Sequence, residues 1–204
     1  MITTPIEKHP DCNVIRLELR QNIVLKEMTD SERVELEPHL FVVDCAKGDH
    51  LLHQGVHDME QYFVLSGILK RVVTNADAKE MILRFADARD METSYAAWRL
   101  NTPTPYSIVC LTKARVAKLP MPAWVEFLDQ HPKFKSAFEY QVMRLMSEIM
   151  AHTITLHLLD GPGRVHRFER KHPELAERIP KKELAAYLNL SAETLSRLKQ
   201  RGKI

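Results

Sequence analysis

Near the C-terminus, Glu193, Ser196 and Arg197 lie in the stretch "SAETLSRLKQ", three, four and one residue apart. On an α-helix these spacings place them on one face together with Ala192. Their chemistry suits base edges in a DNA groove. Arginine can donate two hydrogen bonds to guanine O6 and N7, glutamate can accept from cytosine N4, and serine can do either. Lys181, Lys182, Lys199, Arg201 and Lys203 supply cations nearby, and Ser191 and Thr194 supply hydroxyls. Such groups contact phosphates and set register without reading sequence. The same pattern also fits a plain helical hairpin with a solvated charged face.

A helix-turn-helix would position these residues. If Lys181 is its first position, Leu184 and Leu188 face inward, and Ala185 sits where two helices cross. Asn189 falls at the turn, where a left-handed backbone is required and asparagine is among the few tolerant side chains. Leu190 buries into the turn, Ser191 caps the second helix, and Leu195 and Leu198 pack that helix on the first.

Charge points to the same end. Residues 161–204 carry 11 Lys/Arg against 5 Asp/Glu, while the rest of the chain carries 18 against 22. A basic segment on a mildly acidic body favours a polyanionic partner there, although a solubilising tail would have the same charge. With 45% hydrophobic and 27% charged residues, the 204-residue chain has the composition of a soluble protein. It has no apolar run long enough to span a bilayer and no signal-peptide pattern, so the expected location is cytoplasmic, away from membranes.

The elements upstream change character twice. "TDSERVELEPHL" is predicted helical, with Thr29, Asp30 or Ser31 as cap and Val34, Leu36 and Leu40 as a partial apolar stripe. From about 41 to 119, short runs rich in Val, Ile, Phe and Tyr alternate with Gly, Asp, Asn and Pro, as in a many-stranded antiparallel region. "PAWVEFLDQHPKF" is a short helix with a proline break. A long helix follows, its apolar residues Phe138, Val142, Leu145, Ile149, Leu156 and Leu159 near helical spacing, with His152 inserted. That stripe suits a core or a partner helix, and is expected to be a dimer seam. Gly161-Pro162-Gly163 is expected to stop the helix.

Two stretches together resemble a known family. "IPKKELAAYLNLSAETLSRLKQ" is similar to the C-terminal motif of the Crp/Fnr superfamily of transcription regulators. "KGDHLLHQGVHDMEQYFVLSGILKRV" resembles that family's cyclic-nucleotide-binding-like β-roll, through Gly48-Asp49, Gln54-Gly55 and "YFVLSGILK". The resemblance covers roughly residues 30–200. It implies an α+β fold: a jelly-roll-like double-stranded β-helix sensor domain (1–120), a short helix and a long dimerisation helix (121–160), and a helix-turn-helix domain (161–204). It further implies a homodimer on an inverted repeat of double-stranded DNA, with RNA polymerase as a further partner. The spacing of Glu193, Ser196 and Arg197 resembles the Fnr-type branch, which implies half-sites related to TTGAT. The C-terminal segment is most similar to a subgroup that ends just after the recognition helix, without a β wing.

The sensor stretch departs from the nucleotide-binding pattern. Binders in this family carry a Gly-Glu pair and a following arginine, yet residues 84–112 contain no glycine, and Thr104 stands where the arginine would be. Glu92 and Arg99 lie nearby but outside the pattern, which argues against cyclic AMP. Thr93, Ser94, Tyr95, Arg99, Thr104, Tyr106 and Ser107 could bind a small polar or anionic effector, or could be ordinary polar residues of a ligand-free roll. No cofactor is expected. Cys12, Cys45 and Cys110 are too far apart in sequence to suggest an iron–sulfur cluster or a structural zinc site. His50, His53 and His57 lie in a turn-rich region, and His152 beside the apolar stripe reads as a packing residue rather than a haem ligand. There is no Gly-rich phosphate loop, nucleophile elbow or metal-spaced His/Glu motif, so no enzyme is expected. The competing function is a roll acting as a ligand-binding or protein-interaction module without specific DNA binding.

Overall fold

The computed structural model describes residues 2–77 and 79–202. Strand β1 (Thr3–Pro5) precedes helices α1 (Cys12–Arg20) and α2 (Asp30–Leu36). Thr29 caps α2 in a reciprocal box with Glu32, satisfying two free backbone donors at once. The helix is seven residues long and buries Leu36, while Val34 stays exposed.

The strand-rich region follows as β2 (Phe41–Cys45), β3 (His50–Leu52), β4 (Glu60–Ser66), β5 (Leu69–Thr74), β6 (Glu80–Ala86) and β7 (Met91–Thr93). Helix α3 (Tyr95–Arg99) then leads to β8 (Ser107–Cys110) and β9 (Ala114–Pro120). These strands form a five-stranded sheet in the order β1-β2-β9-β4-β7 and a four-stranded sheet in the order β3-β8-β5-β6. β1 with β2, β2 with β9, β9 with β4, β4 with β7 and β3 with β8 all pair antiparallel, with Val43 opposite Val116 and Phe63 opposite Ala117 at the centre of the larger sheet. Val42, Val43, Phe63, Val64, Leu69, Ile108, Val116 and Leu119 form the core. Gly67 joins β4 to β5 at φ +85°, where a Cβ would meet the Lys113 carbonyl at 2.3 Å. Only glycine fits that approach.

Helices α4 (Met121–Gln130) and α5 (Pro132–Leu158) come next. Trp124 on α4 is fully buried, with Phe63, Phe134 and Phe138 edge-on at 5.4, 5.8 and 5.2 Å. Such edge-to-face contacts add to plain apolar burial and fix the start of α5 on its own roll. The chain ends in α6 (Gly161–Lys171), α7 (Pro173–Arg178), α8 (Lys181–Tyr187) and α9 (Ala192–Gln200).

Two compact units result, 1–71 with 85–145, and 72–84 with 146–204. The division runs through α5, between Leu145 and Met146, and gives the outer part of the β5–β6 hairpin to the second unit.

The long helix ends at Leu158, just before Gly161-Pro162-Gly163 as expected, but that stretch is not a loop. It forms the first turn of α6, where Asp160 caps Gly163 N at 3.0 Å, and proline is at home in a first helical turn. The stripe expected as a seam is covered within the chain at its start and exposed at its end, where Leu159 is 36% accessible. Phe138 and Leu145 are 0% and 5% exposed, and Val142, Ile149 and Leu156 are half-buried. A second stripe is exposed instead: Tyr140, Met143, Met146, Met150, Ile154 and Leu158 are between 47% and 77% accessible. At about 100° per residue, this stripe lies on the side of the helix opposite Phe134, Phe138 and Leu145.

Candidate nucleic-acid interface and sensor interior

Helices α8 and α9 pack on each other in the second unit. Leu184, Ala185, Leu188 and Leu195 are buried, and Leu190 and Leu198 half-buried, so the apolar pattern closes the hairpin. Asn189 adopts φ +53°, and Leu190 N donates to Ala185 O at 2.8 Å across the turn. Ser191 caps α9 by accepting from Thr194 N at 3.0 Å.

Ala192, Glu193, Ser196 and Arg197 are all exposed. Arg197 forms an ion pair with Glu193 one turn away, so the two charged members of the face neutralise each other in the free chain. Lys181, Lys182, Ser191, Thr194, Lys199 and Arg201 are also exposed, and Lys203 lies outside the described residues.

Arg164, His152 and Tyr187 brace this hairpin, and of these only His152 stood out in the sequence, as a packing residue of the long helix. Arg164 on α6 donates through Nε to Leu159 O at 2.9 Å and through Nη1 to Leu188 O at 3.1 Å. It thereby ties the helix-turn-helix turn to the α5–α6 connection. His152 on α5 stacks on the Tyr187 ring, with centroids 3.8 Å apart and planes within 1°. Its Nε2 lies 3.1 Å from Tyr187 O, which requires a proton on that nitrogen for donation. Burial pushes the His152 pKa down to about 4, so the ring is neutral at physiological pH. Burial likewise pushes the Tyr187 hydroxyl up to about 12. The only sequence signal was a polar residue interrupting an apolar stripe.

In the roll, the expected effector residues divide by burial. Thr93, Ser94, Tyr95, Thr104, Tyr106 and Ser107 are buried, and Arg99 is exposed. Most of the buried polar atoms have partners in the protein. Thr93 O accepts from Tyr106 Oη at 2.7 Å and from Arg71 Nη2 at 3.1 Å. Tyr95 Oη donates to Glu139 at 2.8 Å, and its pKa is pushed up to about 12 by burial and by that carboxylate. Ser107 Oγ accepts from Gln54 N at 2.9 Å. Thr104 Oγ1 donates to His53 O at 2.9 Å, and Thr104 O accepts from Gly55 N at 2.8 Å. The position expected to carry an arginine therefore holds the 53–56 turn. Ser94 Oγ has no hydrogen-bond partner among the described residues.

A buried ion pair lies at the centre of this group. Arg71 on β5 and Glu92 on β7 are 1% and 0% exposed, and Arg71 Nε donates to Glu92 Oε2 at 2.8 Å. A second guanidinium bond to the same oxygen makes the contact two-fold. The Tyr106 ring lies 4.1 Å from the guanidinium carbon. Because β5 and β7 belong to different sheets, the pair joins the two sheets through the interior. Arg71 and Glu92 are 21 positions apart in sequence, and no local spacing signals their contact.

Comparison with known proteins agrees with this geometry. Residues 42–131 match the cyclic nucleotide-binding domain family. A search of the curated proteins finds no match. Among solved structures, the chain is similar to the c-di-GMP responsive global regulator CLP of Xanthomonas campestris. The two share 15% identity over 85% of this chain and 92% of that one, with a TM-score of 0.71. A CooA mutant from Carboxydothermus hydrogenoformans shows 14% identity over 89% and 84%, with a TM-score of 0.70. FixK2 of Bradyrhizobium japonicum shows 15% over 79% and 85%, with a TM-score of 0.66. At these identities the likeness is one of fold: the chain shares the α+β fold of these structures. Among the described residues, no helix is long and apolar enough to cross a membrane.

Proposed function

We propose that this chain, a cyclic nucleotide-binding-domain protein with the fold of Crp/Fnr regulators, is a homodimeric transcription regulator that reads an inverted-repeat DNA site. The observation that carries this reading is the helix-turn-helix of α8 and α9: a left-handed Asn189, a capped second helix, and Glu193, Ser196 and Arg197 exposed on one face. Such a helix fits the major groove. The exposed stripe from Tyr140 to Leu158 supports pairing of α5 with a second copy, because so many methionines and aliphatics in water favour burial. Two copies would then present two α9 helices about one DNA turn apart, roughly 34 Å.

The roll of this regulator does not take cyclic AMP in our reading. Supporting it are the Arg71–Glu92 pair in the interior, Thr104 held by the 53–56 turn, and the absence of glycine from residues 84–112. RNA polymerase is the further partner that the fold suggests.

The test is fluorescence anisotropy on duplexes with two inverted TTGAT-type half-sites, either centred one helical turn apart or with half a turn inserted. A two-fold regulator binds the first at least about tenfold more tightly, since the second turns one half-site to the far side of the helix. Equal affinity for both duplexes contradicts the paired arrangement. Calorimetry with cyclic AMP and cyclic GMP tests the sensor reading, which predicts no heat of binding.

A further inference from the structure

A cavity of about 480 Å³ lies among the N-terminal elements and shares no wall residue with the roll interior around Arg71 and Glu92. Its apolar walls come from Ile6 after β1, Leu19 on α1, Leu25 and Met28 in the α1–α2 connection, Leu36 on α2 and Leu40 before β2. These six are at most 7% exposed, so the walls are shielded from water. Val34, also in the lining but 74% exposed, marks the mouth. The charges that line the cavity fall into two groups. In one, Arg16 meets Glu37, with Nε 3.0 and 3.1 Å from the two carboxylate oxygens and Nη2 at 2.6 Å, and Glu7 also acts on it. In the other, Arg20 Nη2 lies 3.1 Å and Arg33 Nε 4.0 Å from the same oxygen of Asp30. Two guanidinium groups thus share one carboxylate. Arg33 is held in place by the backbone, donating through Nη2 to Met28 O at 3.0 Å and to Lys26 O at 3.3 Å.

We infer that this cavity binds a single-chain amphipathic carboxylate, a fatty acid in chemical class, with its hydrocarbon tail against the six apolar residues and its carboxylate at Arg20 and Arg33. A volume of several hundred cubic ångströms, apolar walls and a few placed polar groups are the ordinary make-up of a small-molecule site. The tail gains free energy from each methylene removed from water. A planar guanidinium matches a carboxylate through parallel N–H···O bonds. The Arg20–Arg33 group has two cations to one anion, so a second carboxylate completes its charge balance. Arg16 is already matched by Glu37 and takes no part. A nucleotide would leave its polar base and ribose edges unpaired against these walls, which disfavours it here. Every lining residue falls within 5–40, so the site does not rest on the helix-turn-helix reading.

The experiment titrates the full chain with decanoate in a calorimeter, with decanol as the uncharged counterpart, and maps the site by mass spectrometry after photolysis of a diazirine-bearing decanoate. The expected result is one saturable site per chain, decanol weaker by about tenfold or more, and labelled peptides within residues 5–40. Arg20→Glu and Val34→Glu, both at exposed positions, should each weaken decanoate by about tenfold or more. The inference is overturned if no saturable binding appears up to about 1 mM decanoate. It is equally overturned if decanol binds as tightly as decanoate, if Arg20→Glu leaves the affinity unchanged, or if the label falls on the exposed methionine side of α5. Because the wild-type map reads the site directly and no DNA is present, the result stands whether or not the variants fold, and whether or not the chain is a regulator.

Discussion

The roll and the helix-turn-helix both contain an arginine–glutamate pair, Arg71–Glu92 and Arg197–Glu193, and these two pairs have opposite meanings. Arg71–Glu92 is sealed in the interior, with side-chain exposures of 2% and 0%. Arg197–Glu193 lies in water at 58% and 72%. Burying two charges costs several kcal/mol of desolvation, recovered only if every partner is in place, whereas an exposed pair contributes little and opens easily. The first pair is therefore committed to holding the two sheets together. The second leaves both side chains charged and exposed, able on the proposed reading to exchange each other for base edges. The contrast shows where specificity for a partner can reside: in charges that water, rather than the fold, currently satisfies.

Four variants probe this comparison in decreasing order of effect. Glu92→Gln leaves the Arg71 cation buried without its counter-charge and is expected to cost about 3–5 kcal/mol in urea unfolding. Combining Arg71→Met with Glu92→Leu should recover most of that loss, because a well-packed apolar pair replaces a desolvated one. A single-variant cost near that of a surface substitution would break the comparison. On the exposed face of α5, Met150→Glu should weaken self-association by about 2 kcal/mol or more, read as a concentration-dependent mass in sedimentation. It should leave the unfolding of the monomer nearly unchanged, since Met150 is 66% exposed.

The smallest effect is pH-dependent. An unfolded histidine titrates near 6.5, while His152 in the fold titrates at about 4. The folded chain thus binds fewer protons than the unfolded one between these values, and stability falls as pH drops from about 6.5 towards 4. Allowing for partial solvent access, the loss is about 1–2 kcal/mol. Burial also lowers His172, which adds to the same trend. His152→Phe keeps a ring against Tyr187 and should flatten that part of the pH profile. An unchanged slope would assign the dependence to other groups.

What the sequence revealed depended on how local the cause was. The helix-turn-helix was legible because Asn189, Ser191 and the leucines each act within a few residues of one another. The strand region was legible from β-branched and aromatic runs punctuated by turns. The face of α5 was not. Its apolar residues lie on two opposite sides, so a stripe through Phe138, Val142, Leu145 and Ile149 looked like a seam although it packs inward. The methionine side has the same helical spacing, and only the tertiary structure shows which side is covered. Arg71 with Glu92 was invisible for the complementary reason. That contact joins strands of different sheets, and chain spacing carries no record of which strands become neighbours.

The central claim is tested most directly by anisotropy of wild type and Arg197→Ala on an inverted TTGAT-type duplex and on a scrambled duplex, at several salt concentrations. The account predicts that wild type prefers the inverted repeat at physiological salt, and that the alanine variant loses about 1–3 kcal/mol on that duplex alone. On the scrambled duplex both proteins should bind weakly, equally and with a steep dependence on salt. Wild-type binding that is the same on both duplexes and indifferent to Arg197 would contradict base reading by α9. It would favour the roll as an interaction module instead.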